Sequence, residues 1–227
     1  MTSAEAATGT YPQGRFLLPP DAVELVLVRH GQSQPYVDGT AFPLTGGHGD
    51  PPLSPQGYRQ ARQVGSRLAA GRIDAIYVTT LCRTTQTATP LAELRGLELQ
   101  VEADLREVHL GDWEGGLFRK MVAEGHPTAL QVFAQERWDV IPGAEPAGTF
   151  AGRVRSAILR LAASHQGERV AVFTHGGVIG QVLALATGSR PFAFTRADNA
   201  SISRLVVTGD QWMLRGFNDT SHLDEPA

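Results

Sequence analysis

Two histidines of this chain lie at the ends of short apolar runs, and each is followed by a glycine. His30 stands in Arg29-His30-Gly31 after the apolar residues 25–28, and His175 stands in His175-Gly176-Gly177 after residues 170–174. A short apolar run is typical of a buried strand in a parallel sheet, and such sheets bind ligands at the carboxyl ends of their strands. The pattern therefore predicts that both histidines reach one edge of a sheet, where glycine lets the backbone approach a ligand closely.

Two arginines are placed to bind an anion at the same edge. Arg29 precedes His30, and Arg83 follows a further predicted strand, residues 73–78. Guanidinium groups bind phosphate oxygens in bidentate fashion and keep their charge. A helix predicted to begin near Gly176 adds N–H groups and a dipole that favour an anion. These residue types predict a phosphate site, in which the arginines disfavour the cation of a histidine and so keep it neutral and nucleophilic.

A carboxyl group near the leaving oxygen could act as general acid and then as general base. Glu107 lies in a polar loop with no evident part in the core, which makes it the preferred candidate. Three other acidic residues lie close to it in the sequence, namely Asp104, Asp112 and Glu114. Glu114 is the nearest rival.

The composition favours a globular protein that acts on a small molecule. The formal net charge of −3 does not favour electrostatic binding to nucleic acid or to an anionic membrane surface. Cys82 is the only cysteine, which excludes an internal disulfide and a multi-cysteine metal site. No signal-peptide pattern is found at the N-terminus, and no apolar run approaches the roughly 20 residues that span a bilayer. We therefore expect no membrane partner and a cytoplasmic location.

Along the chain, helical and strand patterns alternate. Residues 1–20 are expected to form a flexible N-terminal arm, and residues 21–227 a single domain. Strands are predicted at residues 23–28, 73–78, 97–101 and 170–174, with a final antiparallel hairpin of residues 202–207 and 212–217. Helices are predicted after the capping residue Ser54, at residues 83–94 with a kink at Pro90, in pieces within residues 117–138, and at residues 148–164 and 178–186. The Gly- and Pro-rich residues 34–52 are either a functional loop or a solvent-exposed insertion.

Arg29-His30-Gly31 resembles the signature of the histidine phosphatase superfamily, also called the phosphoglycerate mutase-like family. Further segments are similar to that family and occur in the right order, over most of the chain from about residue 23 to residue 217. They are residues 53–61, residues 77–88, Leu105-Arg106-Glu107 with residues 111–115, and residues 175–179.

The resemblance implies an α/β fold, a three-layer α/β/α sandwich with a mostly parallel central sheet. It implies His30 as the phosphorylated nucleophile and Glu107 as the proton donor to the leaving group. It implies that Arg29, Arg83 and His175 bind the phosphoryl group and stabilise its transition state. Ser33 stands where the family often has a Ser or Thr near the phosphate. The phosphate-binding set expected is Arg29, Ser33, Arg83, His175 and Gly176, with no metal and no organic cofactor.

Two departures from the family pattern bear on the activity. Pro35 and Tyr36 replace the Trp-Asn pair that mutases and short phosphatases often carry, which puts any contact of that Asn in doubt. No Arg-Arg pair occurs within residues 117–138, where cofactor-dependent mutases hold the substrate carboxylate, and Arg119-Lys120 is the closest match. We therefore expect a metal-independent phosphoric monoester hydrolase of the histidine acid phosphatase type, acting through a phosphohistidine.

Two alternatives remain open at this point. One is a phosphoglycerate mutase, and the other is a non-catalytic module that binds a phosphorylated ligand. The expected partner is a small-molecule phosphate monoester, and a homo-oligomer is left open.

Several other residues have more than one interpretation. Cys82 beside Arg83 is a reactive thiol or, preferably, a small buried residue. His48 and Asp50 resemble a metal pair in type only, so we interpret them as loop residues. Four aromatic residues line a substrate pocket or simply pack in the core, namely Trp113, Phe118, Phe133 and Trp138.

Overall fold

The computed structural model describes residues 11–223 of the chain. The first half of the predicted N-terminal arm, residues 1–10, lies outside the described residues, and residues 11–20 form no helix or strand. The flexibility of the arm stays a prediction.

The strands and helices follow the predicted order. The strands are β1 (Val23–Arg29), β2 (Leu44–Thr45), β3 (His48–Gly49), β4 (Ala75–Val78), β5 (Leu99–Val101), β6 (Arg169–Thr174), β7 (Ile202–Thr208) and β8 (Gln211–Asp219). The helices are α1 (Pro55–Ala69), α2 (Cys82–Arg95), α3 (Leu117–Ala123), α4 (Pro127–Gln135), α5 (Ala147–Ser164) and α6 (Gly176–Thr187). Three short 3₁₀ turns occupy Ala103–Leu105, Gly111–Trp113 and Trp138–Val140.

One six-stranded sheet forms the centre of the molecule, in the order β5-β4-β6-β1-β7-β8. The strands β5, β4, β6 and β1 are parallel, and β7 and β8 add an antiparallel hairpin at one edge. The strands β2 and β3 form a separate small hairpin. The prediction of a mostly parallel sheet is confirmed.

The side chains of β1 alternate between two helical layers, as a strand buried on both faces requires. Leu25 and Leu27 pack in a core with residues of α5 and α6, whereas Val26 and Val28 pack in a second core with residues of α1 and α2. The three-layer α/β/α sandwich is therefore confirmed. A third, smaller core lies under α3 and α4 and includes Trp113 and Val132.

The predicted cap of α1 is present, and α2 ends at a glycine. The Ser54 hydroxyl accepts a hydrogen bond from the Gly57 N–H at 3.1 Å, with Pro55 at the first helical position of α1. Gly96 ends α2 in the left-handed region, and Pro90 lies inside that helix. Among residues 11–223, none of the helices has the length and apolar character needed to cross a membrane.

Candidate active site

Three adjacent parallel strands deliver the residues that the sequence singled out. The strands β4, β6 and β1 are neighbours, and their carboxyl ends lead to Arg83, His175 and His30 respectively. The register pairs Arg29 with Thr174, so the two histidines follow paired residues. Their ring centroids are 5.2 Å apart. The structure thus brings the predicted residues together at one edge of the sheet.

A cavity of about 350 Å³ opens at this edge. Five of the predicted site residues line it, namely Arg29, His30, Ser33, Arg83 and Glu107. His175 and Gly176 are not part of its lining, and His175 is fully buried beneath it.

The His30 imidazole is held so that one ring nitrogen is occupied and the other is free. Its Nδ1 lies 2.8 Å from the Gly31 carbonyl oxygen, and because a carbonyl only accepts, Nδ1 must carry the proton. Nε2 has no hydrogen-bond partner among residues 11–223, so its lone pair is available. Burial and the positive charges of Arg83 and Arg29 hold the pKa of His30 well below its usual value. The neutral, nucleophilic form therefore predominates.

The backbone around His30 is fixed by its neighbours. The His30 carbonyl accepts a hydrogen bond from Asn199 Nδ2 at 3.0 Å, and the His30 N–H donates to the Thr174 carbonyl at 2.9 Å. The Gly31 N–H donates to Thr87 Oγ1 at 3.0 Å. The backbone at His30 is therefore anchored to β6, to α2 and to the segment before β7.

Arg29 and Arg83 are buried cations on the cavity wall. Arg29 Nη1 donates to the Ala197 carbonyl at 2.6 Å, and Arg83 Nη1 donates to the Gly49 carbonyl at 2.9 Å. Burial lowers the pKa of both guanidinium groups, and the charge of Glu107 acts in the opposite direction. Arginine nonetheless keeps its proton in proteins, so both groups stay cationic. The Nε atom of Arg29 is buried and has no acceptor among the described residues.

His175 is held by one hydroxyl. Its Nε2 lies 3.0 Å from Thr79 Oγ1, while its Nδ1 is buried with no partner among residues 11–223. Burial, followed by the charge of Arg83, holds the pKa of His175 well below its usual value. Its Nδ1 is therefore the ring nitrogen whose hydrogen-bonding capacity is unused within the described residues.

Glu107 is attached to the start of α6. One of its carboxylate oxygens accepts from the Gly177 N–H at 3.1 Å and the other from the Val108 N–H at 3.0 Å. This helix N-terminus, which the sequence suggested for an anionic ligand, is thus used by the carboxylate. Gly176 instead lies against the Arg29 guanidinium, where an added Cβ would be 3.4 Å from Nε.

The rival acidic residues have other surroundings. Glu114 lines the cavity, but its oxygens accept the N–H groups of Gly49 and Leu110 at 2.7 and 2.8 Å. Asp104 is paired with Arg160 at 2.7 Å, and neither Asp104 nor Asp112 is part of the cavity lining.

Residues 34–52 belong to the site. Phe42, His48, Gly49 and Pro51 line the cavity. Asp50 accepts a hydrogen bond from the Cys82 N–H at 2.9 Å and lies 3.6 Å from Arg83 Nη1. The interpretation as a functional loop is favoured over a solvent-exposed insertion, because this segment positions Arg83. Within residues 11–223, no three His, Cys, Asp or Glu side chains are grouped as a metal ion would require.

The surroundings of Cys82 disfavour the reactive thiolate form of its side chain. Burial and the neighbouring Asp50 raise the pKa of Cys82 to about 12, so it remains protonated. The interpretation of Cys82 as a reactive thiol is therefore disfavoured, but the side chain is only partly buried, where the preferred interpretation expected a buried residue.

Three residues of the cavity had no clear signal in the sequence. Arg119 donates to Ser33 Oγ and to the Gln34 carbonyl, both at 2.7 Å. In the sequence, Arg119 stands out only in Arg119-Lys120, the closest match to the Arg-Arg pair of mutases. Asn199 and Phe42 lie in irregular segments, where neither strand ends nor periodicity point to a site. Of the four aromatic candidates, Trp113, Phe118 and Trp138 line the cavity and Phe133 does not.

Comparisons with known proteins agree with this arrangement. Residues 25–220 match the family model of the histidine phosphatase superfamily (branch 1). The chain is 35% identical over 212 residues to phosphoglycerate mutase-like protein 4 of Arabidopsis thaliana, covering 90% of this chain and 89% of that protein.

Two solved structures are also similar. One is the mycobacterial glucosyl-3-phosphoglycerate phosphatase, with a TM-score of 0.72 and 28% identity over 88% of this chain and 100% of that one. The other is the alpha-ribazole phosphatase of Shigella flexneri, with a TM-score of 0.69 and 27% identity over 86% of this chain and 96% of that one.

Proposed function

The chain belongs to the histidine phosphatase superfamily, whose members act on phosphate esters, and from this premise we propose that it is a metal-independent phosphomonoesterase. In this proposal it is a hydrolase of the histidine acid phosphatase type and acts on a small phosphorylated metabolite. The observation that supports the proposal best is the state of His30, whose Nδ1 is bound to a carbonyl, whose Nε2 has no partner among the described residues, and whose pKa is lowered by burial and by Arg83 and Arg29.

The reaction would proceed in two steps. In the first, the Nε2 lone pair of His30 attacks phosphorus, the ester P–O bond breaks, and the carboxylic acid of Glu107 gives its proton to the leaving oxygen. In the second, the Glu107 carboxylate takes a proton from water, the water oxygen attacks phosphorus, and the P–N bond breaks. The histidine returns neutral, and Glu107 is again an acid.

The arginines would stabilise the charge that develops on the phosphoryl oxygens. A guanidinium held in a buried site is preorganised, so it stabilises the transition state without rearranging during the reaction. The N–H at Arg29 Nε is buried and finds no acceptor within residues 11–223, and a phosphoryl oxygen would supply one. His175 Nδ1 and the Ser33 hydroxyl would complete the phosphate site.

Glu107 favours an enzyme over a module that only binds. Binding a phosphate dianion does not require a carboxylate at the site, since the two like charges repel. A proton donor is required when an alkoxide leaves. The mutase alternative is kept because the curated relatives carry phosphoglycerate mutase or mutase-like names, whereas the two solved structures named above are of phosphatases.

The test is phosphate release from p-nitrophenyl phosphate in the presence of a chelator. We expect turnover by the native protein and its loss, by at least about 10³-fold, in His30→Ala, because the nucleophile is removed. His165→Asn is the control, since His165 follows α5 and pairs with Glu168 just before β6, at the opposite end of that strand.

Three outcomes would contradict the proposal. Full activity of His30→Ala would exclude the phosphohistidine. Activity only with an added divalent ion would exclude metal independence. Isomerisation of 3-phosphoglycerate that is faster than phosphate release would establish the mutase alternative.

A further inference from the structure

The cavity is lined by both charged and apolar side chains. Arg29, His30 and Arg83 line it where it meets the sheet. The lining also includes four aromatic rings and two aliphatic side chains, which together we call the apolar wall, namely Phe42, Val108, Leu110, Trp113, Phe118 and Trp138. A phosphate ester bound at His30 would share this cavity with the apolar wall.

The rings of this wall support one another. The centroids of Phe118 and Trp138 are 5.8 Å apart at an interplanar angle of 65°, and those of Phe118 and Trp113 are 6.2 Å apart. Trp138 also packs on Phe192 at 4.7 Å, behind the cavity. Phe118 and Trp138 are only partly buried, so their faces can receive a ligand, and their packing holds those faces in place.

Two charged groups beside this wall are already engaged. Both oxygens of Glu114 accept backbone N–H groups. The guanidinium of Arg119 donates to Ser33 and Gln34 and lies 5.0 Å above the centroid of the Phe42 ring. A hydroxyl group placed against the rings would lose its hydration and gain no hydrogen-bond partner from them, which is unfavourable.

The volume of the cavity favours a small ligand. About 350 Å³ lies at the lower end of the range for small-molecule sites. It has room for a phosphoryl group and one ring or short apolar chain, but not for a large conjugate held entirely inside.

We propose that the preferred substrates are phosphate monoesters of apolar, ring-bearing alcohols, whose ring stacks on Phe118 and Trp138. This inference rests on the proposed phosphatase activity, because it assigns the leaving group at the same site. Apolar surface that leaves water in the complex, together with aromatic contact, provides the selectivity.

The test compares two esters with the same reacting atoms, 3-phenylpropyl phosphate and propyl phosphate. Their leaving oxygens are both primary alkoxides, so the difference in kcat/KM reports the ring and not leaving-group reactivity. We expect 3-phenylpropyl phosphate to be preferred at least about tenfold, a factor equal to about 1.4 kcal/mol. Glycerol 3-phosphate, with two hydroxyls in place of the ring, should be poorer still.

Variants locate the preference on the wall. Phe118→Leu and Trp138→Leu should each lower the ratio of the two kcat/KM values about three- to tenfold, because an aromatic face is lost. Phe133→Leu is the matched control, since Phe133 packs on Phe192 in the same group of rings but does not line the cavity. Its ratio should equal that of the native protein.

Binding of the corresponding phosphonates provides a measurement that needs no turnover. Tryptophan fluorescence should change on binding, and 3-phenylpropylphosphonate should bind at least about tenfold more tightly than propylphosphonate. Equal affinities and equal kcat/KM values would overturn the inference while leaving a His30-dependent phosphatase intact. Selective phosphonate binding without turnover of any ester would support the inference about the wall and contradict the proposed hydrolysis.

Discussion

Glu107 and Glu114 both line the cavity, but their carboxylates accept hydrogen bonds from different parts of the backbone. The two oxygens of Glu114 accept the N–H groups of Gly49 and Leu110, which ties β3 to the segment after β5. Glu107 is bound to the start of α6, close to the arginines that would hold the phosphoryl group. These hydrogen bonds favour Glu107 as the proton donor of the proposed reaction and a structural part for Glu114.

Replacement of Glu107 by Gln should affect esters according to their leaving groups. A primary alkoxide needs a proton as it leaves, so kcat for 3-phenylpropyl phosphate should fall about 10²- to 10⁴-fold, the usual contribution of a general acid. p-Nitrophenolate leaves readily without a proton, so formation of the phosphohistidine from p-nitrophenyl phosphate, followed as a rapid burst, should fall much less.

Glu114→Gln is the control for Glu107→Gln. Loss of a structural acceptor should slow both esters by a similar factor, because it acts on the loops and not on the leaving oxygen. If Glu114→Gln discriminated between the esters and Glu107→Gln did not, the proton donor would be Glu114.

Thr79 is predicted to position His175. Its hydroxyl lies 3.0 Å from His175 Nε2 and 3.1 Å from Thr84 Oγ1, so it fixes the ring and leaves Nδ1 for the phosphoryl group. Thr79→Val, which keeps the shape, should lower kcat about 3- to 10-fold, the value of one net hydrogen bond of about 0.5–1.5 kcal/mol. Thr79→Ser should restore it.

The NMR signals of the His175 ring nitrogens distinguish positioning from general damage. Thr79→Val should change the chemical shifts and tautomer of this ring, and Thr79→Ser should return them to native values. An unchanged tautomer accompanied by lost activity would show that Thr79 acts only through packing.

At the scale of elements, the loop after β1 is pressed against the start of α1. An added Cβ on Gly31 would lie 2.6 Å from the Gly57 carbonyl oxygen, and one on Gly57 would collide with the Gln32 carbonyl. The backbones therefore approach closely where His30 leaves the sheet. This contact explains the glycine after His30 and the one at the third position of α1.

Gly31→Ala should therefore destabilise the protein by about 1–3 kcal/mol, as overpacking does, and should lower kcat because His30 shifts. The control is Gly152→Ala in α5, where an added Cβ meets nothing within 4 Å and the helix should gain about 0.5–1 kcal/mol. Urea unfolding and turnover are measured on both. A stable, fully active Gly31→Ala would show that the loop yields without cost.

The elements that could be predicted from the sequence are those with strong local signals. The apolar runs of β1 and β6 end at His30 and His175, and sheet geometry brings those ends together. Arg119, Asn199 and Phe42 could not be placed, because their contribution depends on how α3 and irregular segments fold over the sheet edge. Asp50 likewise gains its contact with Arg83 only through tertiary packing.

At the scale of the whole molecule, the protein keeps several histidines neutral by burying them. The pKa values of His30 and His175 are held well below 6.5 by burial and by nearby arginines. Partial burial also lowers the pKa values of His48 and His222. In the unfolded chain these histidines have the ordinary histidine pKa of about 6.5, so unfolding takes up protons once the pH falls below about 6.5.

The contribution of these histidines to the free energy of unfolding should therefore be constant above pH 6.5. As the pH falls below 6.5, the free energy of unfolding should decrease, because the unfolded state binds more protons than the folded state. Each fully buried histidine contributes a slope of about 1.4 kcal/mol per pH unit, so His30 and His175 together give about 2.7. The loss continues until the pH reaches the lowered pKa of the folded state. Urea unfolding between pH 7.5 and 5 measures this slope.

His175→Gln should reduce the slope by the share of one histidine, about 1.4 kcal/mol per pH unit. His126→Asn replaces an exposed histidine and controls for the loss of a histidine as such. A slope unchanged in His175→Gln would mean that this ring is protonated in the folded protein.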